Sequence, residues 1–146
     1  LHRAVDRLTG NFSICPPTLP QLAGVAAFTP ESVAEADALV DDYAVNRELL
    51  LRGLPEIGLP RLAPADGAFY VYADISDYST DSLDFCARLL ADTGVAIAPG
   101  VDFDTVHGGS YVRLSFAGAK AEVSESLRRM GPWLAGQRAD QPPSIV

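Results

Sequence analysis

The sequence predicts an α/β (α+β) fold: a small mixed sheet covered on one face by helices and preceded by a long helix. Three observations carry this reading. Apolar residues at helical spacing continue over 33–54, the length of an extended helix. Three short segments, beginning at Phe69, Val95 and Tyr111, alternate or run apolar between turn residues, as strands do. Two further helical stripes, over 83–90 and 123–134, follow the first and the last of these strands. The resulting strand-helix-strand-strand-helix order leaves one face of a sheet for the helices to cover.

In chain order, Leu1, Val5 and Leu8 share one stripe with no capping residue before them, so we expect a piece of a longer protein. Gly10 is expected to end this helix, with a loop over 11–17. Thr18-Leu19-Pro20-Gln21 has the spacing of a capping box and predicts a short helix to about Phe28. Thr29-Pro30 with Glu31 and Glu35 opens the long helix, because carboxylates favour the positive end of the helix dipole, and Gly53 is expected to close it. Arg47 lies within the apolar stripe of Val33, Ala36, Val40, Tyr43, Leu50 and Leu54. It reads as a snorkelling side chain or one paired with a nearby acid.

After Pro55, Pro60 and Pro64, residues Phe69, Val71 and Ala73 alternate with Tyr70, Tyr72 and Asp74. The two tyrosines on one face are read as half-buried packing, with a binding wall as the alternative. Ser79-Thr80-Asp81 supplies a cap for a helix whose Leu83, Cys86, Ala87 and Leu90 face a core, with Gly94 beyond its end. Val95-Ala96-Ile97-Ala98 reads as a buried strand that Pro99-Gly100 breaks. A loop holding Asp102, Asp104 and Gly108-Gly109 leads into 111–116. There Val112, Leu114 and Phe116 share one face, and Tyr111, Arg113 and Ser115 the other. Val123, Leu127, Met130 and Leu134, with Trp133 beside them, make a closing helix, and a loose tail is expected from Gln137 through Pro142-Pro143.

Composition narrows the function classes. Hydrophobic content of 48% against 21% charged residues is that of a globular chain. The net charge of -8 and the lack of a basic cluster argue against nucleic acid as a partner. No run approaches the ~18 apolar residues of a membrane span, so no membrane role is expected. Cys15 and Cys86 form no CxxC motif and read as reduced thiols of a cytoplasmic protein. Asp102, Asp104 and His107 lack the spacing of a metal site, and none is expected. No GxSxG elbow or phosphate loop is present. The residue that stands out is Arg113, a guanidinium on a rigid strand beside a glycine-rich loop. That setting suits two-point capture of a carboxylate, while a solvated strand face or an acidic neighbour is the ordinary alternative.

Gly94-Val95-Ala96-Ile97-Ala98-Pro99-Gly100-Val101-Asp102-Phe103-Asp104, followed by Tyr111-Val112-Arg113-Leu114-Ser115-Phe116-Ala117, resembles the C-terminal part of the fold-type I, class I/II aminotransferases that use pyridoxal phosphate. Pro64-Ala65-Asp66-Gly67-Ala68-Phe69-Tyr70-Val71-Tyr72 looks like that family's entry to the small domain, and the likeness runs in order over about 1–134. One departure is Asp104, where the family commonly has glycine.

The resemblance implies that Arg113 binds the substrate α-carboxylate. It implies the end of a large cofactor domain over 1–30, a long interdomain helix over 31–54 and the small C-terminal domain over 55–136, followed by the tail over 137–146. Residues 12–21 would lie at a dimer interface, so a homodimer is implied for the full-length enzyme. The family's Schiff-base lysine would precede Leu1. The only lysine here, Lys120, has none of the family's Ser-x-x-Lys context and reads as a solvated helix residue. Pyridoxal 5'-phosphate is therefore expected in the full-length enzyme and not on this chain alone, with an amino acid and a 2-oxo acid as substrates. A lyase or synthase on the same fold, or a non-catalytic module that binds a small acid or a protein, remains open.

Overall fold

A computed structural model describes residues 1–139, with side chains through Gln137. The chain divides into two compact units, the first Leu1–Val40 and the second from Asp41 onward.

The first unit contains α1 (His2–Phe12), α2 (Thr18–Ala26) and the opening of α3 (Pro30–Glu56). Helix α1 runs past Gly10, correcting the expected stop. It ends at Phe12; the Ser13 and Ile14 amides both donate back to the Thr9 carbonyl, and φ turns positive at Ile14. The expected capping box at 18–21 does not form, because Thr18 is already inside the helix. Gln21 instead sends its side-chain amide back to the Pro16 carbonyl. No residue of α1 or α2 is buried. Helix α3 opens at Pro30 as expected, and the preceding Thr29 hydroxyl accepts from the Ser32 amide.

The second unit holds the core. Helix α3 continues beyond Gly53 to Glu56, and Gly58, at φ 110°, is its actual terminator. Gly53 serves a different purpose: a Cβ there would sit 2.6 Å from Leu127 Cδ1, so glycine lets the closing helix approach. Then follow β1 (Tyr70–Asp74), α4 (Ser82–Thr93), β2 (Ala98–Pro99), β3 (Tyr111–Ser115) and α5 (Lys120–Ala139). Three residues of the expected tail are thus the last of α5, and 140–146 lie outside the described residues.

The sheet is three-stranded in the order β1-β3-β2, and both pairings are antiparallel, not mixed as expected. The reason is topological. Strands β1 and β2 are joined through α4 and run parallel to each other, but β3 inserts between them and opposes both. The expected strand at 95–98 is reduced to Ala98–Pro99, and the proline sits inside it. Because β2 is an edge strand, its missing N–H leaves no central ladder bond unmade.

Val71, Ala73, Val112 and Leu114 point to one face and are buried there with Leu50 and Leu54 of α3, Phe85 and Leu89 of α4, and Val123, Met130 and Leu134 of α5. Each large side chain buried in this way contributes roughly 1.5–3 kcal/mol. Helix α4 is rotated from the expected stripe: Leu83 and Leu90 are exposed, while Phe85, Cys86 and Leu89 turn inward. Trp133 fixes that rotation, meeting the Phe85 ring edge-on at 5.2 Å and donating from Nε1 to Asp92 at 2.8 Å. Asp81 caps α4 through the Leu83 and Asp84 amides, and Gly94, at φ 72°, closes it, both as expected.

Candidate functional site

The central strand β3 is hydrogen-bonded on both sides, so the backbone beneath Arg113 is fixed from two directions, opposite Tyr72 of β1 and Ala98 of β2. Its neighbours Val112 and Leu114 are 0% and 4% exposed, which sets the strand's rotation and sends Arg113 to the face away from the helices. There its guanidinium carbon lies 4.1 Å from the centroid of the Phe103 ring and 5.1 Å from that of Tyr70. Beside them Tyr72 and Tyr111 stack 4.9 Å apart, 3° from parallel.

The charge environment sets Arg113 apart. Arg61 is bound to Asp74 and Asp77, Arg88 to Asp84, and Arg128 and Arg129 to Glu125. Arg47 donates to the Ala65 carbonyl and reaches Glu48 and Asp66, the pairing its sequence context suggested. Among the described residues no carboxylate lies within ion-pair distance of the half-buried Arg113. A guanidinium touched by aromatic rings keeps its in-plane N–H donors, and those are what a carboxylate needs.

The loop over 100–110 places Phe103. Gly100 and Gly108 meet back to back at its neck, where a Cβ on Gly100 would fall 2.5 Å from the Gly108 carbonyl oxygen and 2.6 Å from that of Tyr111. Inside the loop the Phe103 and Asp104 amides donate to the Gly100 carbonyl, and the Gly108 amide to that of Asp104. The Asp104 carboxylate accepts from the Val106 and His107 amides at 2.8 and 3.0 Å. Those amides hold its pKa below the ordinary carboxylate value. Asp104 is thus a turn-closing residue, which gives a physical role to the one visible departure from the family pattern. Tyr72 directs its hydroxyl toward the Gly100 carbonyl at 3.5 Å. Burial first, then the charges of Asp104 and Tyr111, raise its pKa above 10.0, so it stays protonated near neutrality.

Of the other residues singled out in the sequence, Asp102 and His107 are exposed, and the described residues contain no cluster of three potential metal ligands. Lys120 is the exposed first residue of α5. An open groove of about 450 Å³ lies elsewhere, among Val95, Ile97, Leu114, Val123 and Arg129. Strand alternation in the sequence already put Tyr111 on the face of Arg113, whereas Phe103 was not recognised as its neighbour. Phe103 is brought there only by the loop's closure.

A family profile described as aminotransferase class I and II matches residues 1–130. The chain belongs to this family. It is 66% identical over 137 residues to a valine–pyruvate aminotransferase of Mycobacterium tuberculosis, a match covering 94% of this chain and 35% of that protein. Among solved structures, an aminotransferase from Mycobacterium tuberculosis superposes with a TM-score of 0.87 at 66% identity, covering 93% of this chain and 35% of the other. An aromatic aminotransferase from Pyrococcus horikoshii gives 0.78 at 29% identity, covering 90% of this chain and 35% of the other. The chain therefore spans about a third of the length of the aminotransferases it matches. Among the described residues no helix is long and apolar enough to cross a membrane.

Proposed function

We propose that this chain is the C-terminal part of a pyridoxal-phosphate aminotransferase that moves an amino group between an amino acid and a 2-oxo acid, and that Arg113 grips the substrate α-carboxylate. The observation that supports it best is the Arg113 environment: an unneutralised guanidinium, fixed from below by a central strand and touched by two aromatic rings. Both substrates of a transamination carry a carboxylate next to the reacting carbon, so one anchor serves both half-reactions. Fixing that carboxylate orients the reacting carbon, and orientation of this kind removes a large part of the entropic barrier.

Pyridoxal phosphate, when bound, supplies the electron sink that labilises the α-proton. Its lysine is expected outside this chain, since Lys120 is exposed at the start of α5. The residues here bind and orient; they do not carry the proton transfer. In this reading 1–30 close the large domain, 31–54 connect, and 55–136 form the small domain. The break between compact units after Val40 falls inside the connecting helix, which is compatible with that division. Exposed Phe12, Leu19, Leu22, Val25 and Phe28 fit a segment covered by more protein, as in a homodimer, and a cytoplasmic location suits such an enzyme.

The test is amino transfer itself. The full-length protein, supplied with pyridoxal phosphate, an amino acid and a 2-oxo acid, should produce the exchanged pair, and this chain alone should not. Binding of the acids without any transfer by the full-length protein would identify a non-catalytic acid-binding module. Elimination or condensation in place of exchange would identify a lyase or synthase.

A further inference from the structure

Phe103 raises a question that the carboxylate reading leaves open. It is a large apolar ring, 53% exposed, carried on a loop and not on the core. Yet the loop that carries it is closed on itself at several points. The loop's neck is closed by two glycines whose backbones touch, its interior by amide-to-carbonyl bonds, and its far side by the Asp104 carboxylate. Such a loop is a rigid mount, and what it mounts is a ring 4.1 Å from the Arg113 guanidinium carbon. Tyr70 approaches the same guanidinium from β1 at 5.1 Å, and it too is partly exposed.

An arginine side chain has several rotatable bonds, and without a partner it would sample many positions. An acidic partner would hold it but would neutralise the charge and occupy the donors that a ligand needs. Aromatic rings hold it through the ring quadrupole and leave both charge and N–H donors free. We propose that Phe103, seconded by Tyr70, is a positioning residue that pre-orders the Arg113 guanidinium for carboxylate capture. This rests on the reading of Arg113 as the anchor. The loop's glycine neck then has a purpose: it delivers the ring without using a core contact.

The test uses the full-length protein with Phe103→Leu, Phe103→Tyr, Tyr70→Leu, Arg113→Ala and the Phe103→Leu/Arg113→Ala double variant. Phe103→Leu keeps apolar bulk and removes the ring, so the KM for the amino acid should rise roughly fivefold with kcat nearly unchanged. Phe103→Tyr, which keeps the ring, should restore the parental KM. Tyr70→Leu should raise KM by a smaller factor, in line with its longer distance. In the Arg113→Ala background, Phe103→Leu should add nothing further, because the partner it orders is gone.

A parental KM for Phe103→Leu, alongside a damaged Arg113→Ala, would overturn the positioning role and leave the anchor standing. An unchanged KM for Arg113→Ala would overturn the anchor itself. An equal loss in Phe103→Leu with and without Arg113, or a loss that Phe103→Tyr does not rescue, would make Phe103 a merely structural residue. Melting temperatures measured alongside separate these outcomes from misfolding.

Discussion

Arg61 and Arg113 show how the same side chain acquires opposite roles from its neighbours. Arg61 donates to both oxygens of Asp74 and to Asp77, and lies against Ser76, so its charge is consumed in holding the loop after β1. That contact brings the Asp74 pKa down to about 2 from 3.8, chiefly through the Arg61 hydrogen bond and against an opposing desolvation. Because the folded value lies below the unfolded one, the stabilisation is fully present above 3.8 and is lost as pH falls toward 2. Acid unfolding of the parent should therefore steepen across that window, and Arg61→Ala should flatten it, as followed by circular dichroism during acid titration. Cys86 is shifted the other way. Burial, with a smaller contribution from Asp102, pushes its thiol up to about 11. At pH 8 it should react with iodoacetamide far more slowly than a free thiol, and comparable rates would contradict its burial.

The loop over 100–110 is the element on which the site depends. A methyl group added at Gly100 has nowhere to go, since the atoms it meets are backbone carbonyls of Gly108 and Tyr111. Gly100→Ala should lower stability by about 2–3 kcal/mol in urea denaturation and displace Phe103. A stability within 0.5 kcal/mol of the parent would mean that the neck is looser than described.

Much of this element order was legible in the sequence, because period and capping chemistry are local. Asp81 and Gly94 bounded α4 as their chemistry dictates, and the alternation of Val112, Arg113 and Leu114 assigned faces to β3. What escaped was decided by distant partners. Gly53 looked like a helix stop and is a notch for Leu127. The inward face of α4 is set by Trp133, and the antiparallel sheet by the insertion of β3. The neighbourhood of Arg113 was half legible: its face could be read, but the ring of Phe103 depends on a glycine-glycine contact that no local pattern announces.

For the molecule as a whole, the core lies entirely within the second unit, whereas α1 and α2 bury no residue. Residues 41–139 should accordingly fold alone and unfold cooperatively in urea, while residues 1–40 of the isolated chain should be cleaved first in limited proteolysis. A gradual, non-cooperative melt of 41–139 would contradict that division. Within the unit, Asn46 is 1% exposed and donates to the Phe116 and Gly118 carbonyls at 3.1 and 2.8 Å, tying α3 to the segment that links β3 to α5. Asn46→Ala strands both carbonyls and should cost about 1–3 kcal/mol in the same denaturation experiment.

These scales meet at one guanidinium, held on the open side of the sheet with its charge unspent. The most direct measurement is steady-state kinetics of full-length Arg113→Ala with the amino acid and the 2-oxo acid varied in turn. Both substrates present the same carboxylate, so both KM values should rise together, by about thirtyfold or ~2 kcal/mol. Two KM values equal to the parent's would contradict the account, because the acid would then be gripped elsewhere.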